Sequence, residues 1–223
     1  MNLKSVNSDL IQQVAILEEE LRNAKQEVAV LSKQISPAEM RHLENAYPKM
    51  YSFLPAQVVN NQTGKMNNNY ITLNRGSLFG VKEDMGVLSP TGIVGVVRNV
   101  SPHFSRVIPI LNPKYHPNCK IKGTNFFGPL SWDGKDPQYS SLELPQHAEF
   151  NTGDTIVTSG FSTVFPEGVP VGAIVEKTFR SKGENYNSVR VKLFTNFNAL
   201  NEVLIVVNAL KDEQLNVEKG GTE

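Results

Sequence analysis

Ser159, His103 and either Asp84 or Asp154 are the residue types that a serine hydrolase needs: a nucleophile, an imidazole base and an orienting carboxylate. The local context of Ser159 argues against that chemistry. An oxyanion site needs a turn that aims backbone N–H groups at one point. Thr158-Ser159-Gly160 offers one glycine after the serine and a Val-Thr strand before it. That pattern reads as a β-turn whose hydroxyls bond nearby backbone. His116 and Cys119 form an H-x-x-C pair, half of a metal site. Structural zinc takes four ligands, so Asp133 or His147 would have to approach in space. The pair reads instead as an exposed loop. Asp133 and Asp136 resemble a calcium loop only in their spacing, because the terminal glutamate is missing. Glu143 and Glu149 are isolated and do not read as a glycosidase pair. Neither G-x-x-x-x-G-K-[ST] nor G-x-G-x-x-G occurs, so nucleotide binding has no support. The reading is a chain with no catalytic residue, no metal and no cofactor.

Composition narrows the partners. The 223 residues carry 22 Lys+Arg and 22 Asp+Glu, for zero formal net charge. Phosphate binding needs a basic excess, so nucleic acid is excluded as the main partner. Splitting the chain does not restore that excess. Residues 1–50 hold 6 basic and 7 acidic side chains, and residues 51–223 hold 16 and 15. The single cysteine, Cys119, excludes an internal disulfide. No apolar run approaches the roughly 20 residues that cross a bilayer, and no signal peptide is seen, so the chain as given reads as soluble.

Two periods divide the sequence. Leu3, Leu10, Leu17, Ala24 and Leu31 recur every seven residues, and Val14, Leu21, Val28 and Ile35 fill the second seam position. Alternating steps of four and three are the a/d spacing of a coiled coil. No Gly or Pro interrupts residues 1–36, and Pro37 follows at once. Val and Ile at a with Leu at d favour a parallel pair. Asn7 at an a position would fix register, and Glu20 can pair with Lys25 across the dimer. The alternative is one amphipathic helix folded back on the C-terminal half, although a two-position stripe is narrow for that role. The dimerisation surface is therefore read as Leu3, Asn7, Leu10, Val14, Leu17, Leu21, Val28, Leu31 and Ile35.

Residues 37–51 read as a connector, and beyond it the period becomes two. Short β-branched runs are Ala56–Val59, Tyr70–Leu73, Gly86–Leu88, Ile93–Val100, Arg106–Leu111, Thr155–Thr158, Gly172–Lys177, Ser188–Phe194 and Val203–Val207. Turn chemistry separates them, as in Ser89-Pro90-Thr91-Gly92. No long helical stretch intervenes, which excludes a doubly wound α/β sheet and points to small antiparallel barrels or a sandwich. Asn60–Asn69 reads as an exposed polar loop. A faint echo between Glu83–Gly92 and Asn151–Gly160 fits either two related barrels or two similar turns. Gly76, Gly86, Gly92, Gly95, Gly160, Gly168 and Gly172 are read as structural turns or close backbone approaches. The tail, 211–223, is polar and read as disordered.

Several of these segments carry a resemblance. They are Tyr70-Ile71-Thr72-Leu73-Asn74-Arg75-Gly76-Ser77, Gly80-Val81-Lys82-Glu83-Asp84-Met85-Gly86-Val87 and Ser89–Val97. Gly153–Gly160 and Phe165–Gly172 follow later. Their order and spacing after a coiled coil resemble the MreC family of bacterial cell-shape proteins along nearly the whole chain. The resemblance implies a mainly β fold, with an N-terminal coiled-coil helix followed by two small six-stranded β-barrels. It also implies nesting: a first barrel at 52–112, closed by 173–210, around a second inserted at 113–172. It implies a non-enzymatic homodimeric scaffold of the cell-elongation machinery on the periplasmic side of the inner membrane. The implied partners are a class B penicillin-binding transpeptidase, MreD and the MreB system, with possible further self-assembly. The family's N-terminal transmembrane helix is not present here, so the chain reads as a periplasmic fragment whose membrane contact runs through that missing helix. The alternatives are a coiled-coil β adaptor of a secretion or efflux system, and a degenerate trypsin-like protease.

Binding would then use exposed sheet edges, with Tyr70–Leu73 and Val203–Val207 as candidates. Phe126, Phe127, Trp132 and Tyr139 form an aromatic group in the inserted barrel. Phe126 and Phe127 are read as core, whereas Trp132, beside a D-G turn, is open between core and interface. The heptads make a direct prediction. The Leu17→Asp/Leu21→Asp double variant should sediment as a monomer while the parent chain sediments as a dimer. Unchanged dimer mass would refute the seam.

Overall fold

The computed structural model describes Arg22 and residues 50–63, 69–178 and 186–220. Arg22 is helical and exposed, while the proposed seam from Leu3 to Ile35 lies outside the described residues. The chain divides into residues 1–41 and 42–223, and the second unit holds everything described below.

Twelve strands are described, and they close two six-stranded antiparallel barrels. In chain order they begin with β1 (Tyr51–Gln62), β2 (Tyr70–Leu73), β3 (Gly86–Ser89), β4 (Gly92–Val100) and β5 (Ser105–Pro109). Next come β6 (Asn118–Ile121), β7 (Phe127–Ser131), β8 (Tyr139–Pro145) and β9 (Thr155–Thr158). The last are β10 (Pro170–Thr178), β11 (Tyr186–Leu193) and β12 (Glu202–Asn208). The first barrel runs β1-β12-β3-β4-β5-β2, and the second runs β10-β11-β8-β7-β6-β9.

This membership corrects the expected boundaries. The runs at Gly172–Lys177 and Ser188–Phe194 were assigned to the first barrel, as part of its closure by 173–210. They are β10 and β11, and both close the second barrel. Only β12 returns to the first, pairing β1 from Tyr51↔Asn208 to Gln57↔Glu202. A β-branched run announces a strand but not its partner, so local sequence does not say which barrel it closes.

Three strands, β6, β7 and β8, had no sequence signal of their own. Asn118-Cys119-Lys120-Ile121 and Phe127-Gly128-Pro129-Leu130-Ser131 hold Asn, Gly and Pro, residues poor in strands. Their period is clear once burial is known: β7 reads exposed, buried, exposed, buried from Phe127, and in β8 Ser140, Leu142 and Leu144 are buried. The second core gathers Ile121, Leu130, Leu142, Leu144, Val189 and Val191, each 3% exposed or less. The expected polar loop at Asn60–Asn69 is also revised. Asn60–Gln62 extends β1. Asn69 is buried, donating Nδ2–H to Leu111 O at 2.6 Å.

Small barrels require tight coiling, and the ladder shows where it occurs. Register shifts fall between Val58 and Asn60, Val87 and Leu88, Val97 and Asn99, Pro170 and Gly172, and Ile174 and Glu176. Bulges of this kind bend a strand and raise its twist. Glycine permits close backbone crossings: a Cβ on Gly128 would stand 1.8 Å from Glu143 O, one on Gly95 2.1 Å from Ile108 O, and one on Gly172 2.3 Å from Lys192 O.

The tail differs from expectation as well. Lys211–Gly220 is a helix, α1, rather than disordered. Asp212 and Glu213 in its first turn and Lys219 in its last complement the helix dipole. Lys211 Nζ donates to Glu83 O at 3.1 Å and Asp84 O at 3.2 Å, tying the helix start to the first barrel. Residues 221–223 lie outside the described set.

The crossing at Gly95 gives a test. Gly95→Ala has no backbone-free space to enter, so it should cost about 2–3 kcal/mol. Urea unfolding of the variant measures it, and a midpoint equal to the parent's would contradict the crossing.

Candidate functional site

The two barrels share a wall. β3, and β4 from Gly92 to Val97, are buried at every position, as are Val203–Val206 of β12. A barrel strand facing water should alternate instead. Contacts with the second barrel explain part of this double burial. A Cβ on Gly86 would meet Val164 O at 2.4 Å and the Phe165 ring at 2.7 Å, and one on Gly92 would meet Pro170 O at 2.7 Å. Buried hydroxyls cross the same wall. Thr195 Oγ1 donates to Ile93 O at 2.9 Å and lies 3.0 Å from Ser89 Oγ, which accepts from Gly92 N at 3.1 Å. Asn208 Nδ2 donates to Thr163 O at 3.3 Å.

The segment Leu73-Asn74-Arg75-Gly76 has a structural account. Asn74 Oδ1 accepts from Gln57 N at 2.8 Å, joining β2 to β1 beside its bulge. Arg75 is 1% exposed, donates Nη1–H to Asn74 O at 3.1 Å, and sits 4.5 Å over the Phe79 ring. Gly76 allows close approach to Ser101 O.

A cleft of about 250 Å³ opens beside Ser159. Its walls come from the β9–β10 connection and from Tyr115–Asn118, which lead into β6. Gly160 takes the left-handed conformation at φ 80°, turning the chain out of β9. Gly168, at φ 85°, turns it back toward β10. Between these turns Phe161 is 67% exposed and packs edge-on against Phe127, itself 44% exposed, with ring centroids 4.8 Å apart. Phe127 was expected in the core. The outward register of β7 places it on the surface instead.

The candidate triad does not assemble. Ser159 is buried and its Oγ accepts from Phe161 N at 3.3 Å, with no histidine partner among the described residues. His103 lies exposed in the β4–β5 loop. Asp84 pairs with Arg98 at 3.7 Å, and Asp154 Oδ2 accepts from Asn151 N at 2.7 Å. The histidine that shares the Ser159 cleft is His116. Among the described residues no three His, Cys, Asp or Glu side chains gather as a metal site. Cys119 is fully buried, its Sγ 3.7 Å from Pro117 O, while His116 is exposed. Asp133 and Asp136 cap local turns, accepting from Lys135 N at 3.0 Å and Gln138 N at 2.9 Å. Glu143 and Glu149 are exposed.

The edge candidates are covered. Tyr70–Leu73 is β2, paired with β1 and β5, and Val203–Val207 lies in β12, paired with β1 and β3. Barrel closure consumes both edges. Trp132 is 4% exposed and donates Nε1–H to Asp136 O at 2.8 Å, which makes it core. Tyr139 lies under the Arg190 guanidinium at 4.2 Å, and Phe126 meets His147 edge-on at 5.6 Å.

Two closed barrels with a shared wall and outward aromatic surfaces define a tandem β-barrel module whose chemistry lies in its side-chain faces. Residues 58–207 match the family described as "Rod shape-determining protein MreC, barrel core", and the chain belongs to that family. It is 29% identical over 160 residues to the cell shape-determining protein MreC of Listeria monocytogenes, covering 70% of this chain and 54% of that protein. The chain thus spans about half the length of that relative. A solved MreC from Listeria monocytogenes has TM-score 0.64 at 24% identity, covering 93% of this chain and 97% of that one. MreC of Helicobacter pylori, solved in complex with penicillin-binding protein 2, has TM-score 0.57 at 17% identity, covering 71% and 99%. Both structures are alike in fold.

Burial at the Tyr115–Cys119 segment sets a pH response. Burial raises the Cys119 thiol from 9.0 to about 12. It also raises the Tyr115 phenol, with Cys119 and Asp84 adding to the effect. Above 9.0 the unfolded thiol loses a proton that the folded one keeps, so stability falls as pH climbs toward 12. Below 9.0 the two states hold the same proton and the thiol contributes no slope. Denaturant melts across that window should show a decline approaching 1.4 kcal/mol per pH unit for this group, on the order of one proton's linkage. Cys119→Ala should flatten the decline, and an unchanged slope would refute the assignment.

Proposed function

We infer that this chain is the barrel portion of a non-enzymatic, homodimeric scaffold in the bacterial cell-elongation machinery. It acts on the periplasmic side of the inner membrane and organises peptidoglycan-synthesis enzymes. The observation that carries this reading is the family match across both barrels, from 58 to 207. Two relatives add support. One solved neighbour is the major periplasmic domain of the cell shape-determining filament MreC, and another is MreC bound to penicillin-binding protein 2. The partner inferred here is a class B penicillin-binding transpeptidase, with MreD and the MreB system as further members of the assembly.

The mechanism follows from the closed barrels. With no strand edge free among the described residues, a partner docks on side chains rather than by strand addition. Contacts of that kind gain strength when two copies present them together. The coiled-coil seam at Leu10, Val14, Leu17, Leu21, Val28 and Leu31 supplies that pairing, raising effective concentration without any catalytic step. The N-terminal membrane anchor implied by the family would hold the dimer at the site of wall synthesis.

Cross-linking in cells carrying the membrane-anchored full-length protein tests the reading. The class B transpeptidase should co-purify, and recovery should fall when Leu17→Asp/Leu21→Asp separates the pair. Absence of the transpeptidase from the cross-linked material would overturn the scaffold role.

A further inference from the structure

The cleft beside Ser159 has a composition that selects among ligand classes. No Lys, Arg, Asp or Glu lines it, so it offers nothing to a phosphate, a carboxylate or an ammonium group. The Lys120–Glu167 ion pair, whose Glu167 lies beside Gly160, is already internally matched. Its volume of about 250 Å³ is below the roughly 300 Å³ at which pockets for drug-sized ligands begin, which leaves room for one ring. Two kinds of neutral ring remain: an apolar side chain from a protein, or a polar ring such as a sugar.

The lining decides between them. An aromatic or aliphatic anchor seeks a desolvated apolar pocket. Here Asn118, Ser159, Ser162 and His116 line the cleft beside Tyr115, Pro117, Phe161, Val164 and Phe165, so apolar groups alternate with polar ones. Burying an apolar ring against them would strip their water without replacing it. Ser159 and Ser162 each accept one backbone N–H, from Phe161 at 3.3 Å and Val164 at 3.1 Å, so each hydroxyl still has its own hydrogen to donate. No side-chain hydrogen bond occupies Asn118 or His116 among the described residues, so both can donate and accept. The most exposed of the apolar lining residues is Phe161, its ring held edge-on by Phe127. An exposed aromatic ring held in place beside neutral donors and acceptors matches a pyranose, whose C–H face is apolar and whose rim is hydroxylated.

We propose that this cleft is a binding site for one neutral saccharide ring, with Phe161 as the stacking platform and Asn118, Ser159 and Ser162 as hydrogen-bonding partners. The site belongs to the second barrel alone and stands independently of the scaffold reading. A longer glycan would occupy the cleft with one unit and run outward over the Phe161–Phe127 pair.

The test uses the isotopically labelled chain, titrated with chitotriose and with maltotriose while amide resonances are followed. Saturable shifts at Asn118 and Ser159–Phe161 in the millimolar range are expected with at least one of them. Phe161→Ala should weaken that binding about tenfold, and Ser159→Ala about fivefold. Phe161 is 67% exposed, so its removal leaves the core untouched. Phe104→Ala, which removes a 50% exposed ring outside the cleft, should bind as the parent does. The proposal is overturned if neither sugar gives saturable shifts, or if Phe161→Ala leaves affinity unchanged. It is also overturned if N-acetyl-phenylalanine amide saturates the cleft and the sugars do not, because the site would then be a side-chain anchor.

Discussion

Six short strands close a barrel only if each coils hard, and every other feature of this protein depends on that constraint. A flat strand would leave an open edge. The chain meets the requirement with five register shifts and with glycines where one strand crosses another's carbonyl. Gly95 and Gly172 serve this purpose at equivalent points, early in β4 and β10. Side chains at those points would force the backbones apart and reopen the barrel. Tight closure also explains why no strand edge among the described residues is free for augmentation. Its backbone polar groups satisfy one another around each barrel, so recognition passes to side chains.

Sharing a wall is the second consequence. β3, much of β4 and most of β12 are apolar on both faces. Phe165 packs at Gly86, and Pro170 packs at Gly92. The Ser89–Thr195 pair places polar atoms inside this wall without leaving them unsatisfied, because Gly92 and Ile93 complete their bonds. Such bonds are directional, whereas apolar contact alone tolerates sliding. The node therefore favours one orientation between the barrels.

The outward faces carry what is left for function. Arginines lie over tyrosine rings on each barrel, Arg106 on Tyr70 at 4.3 Å and Arg190 on Tyr139 at 4.2 Å. These stacks cover aromatic surface that would otherwise be exposed. Phe127 and Phe161 have no such arginine among the described residues and pack on each other beside the uncharged cleft. That contrast distinguishes the Ser159 region from the rest of the second barrel's surface. The serine that resembles a nucleophile in sequence is a buried turn residue lining the cleft, its hydroxyl accepting from Phe161 N.

Sequence alone determined a mainly β class of fold, because alternation at period two with frequent turn residues admits small antiparallel barrels or a sandwich; the choice of barrels came from the family resemblance. It located nine of the strands by their β-branched runs, and the ordered motifs from Tyr70 to Gly172 pointed to the family. It also argued against nucleic acid as the main partner and showed neither nucleotide-binding motif. Tertiary structure decided everything that depends on partners. β10 and β11 have the same local character whichever barrel they join, so only pairing assigned them to the second. β6, β7 and β8 interleave strand formers such as Ile121, Phe127 and Tyr139 with Asn, Gly, Pro and Ser, and burial by neighbours rather than propensity makes them strands. The helix at Lys211–Gly220 gains its anchor from Glu83 and Asp84, more than a hundred residues earlier. Whether Phe127 faced the core or the solvent turned on strand register, where one step exchanges the two faces. Composition and period are local properties of a chain, but pairing, register and burial are properties of its contacts.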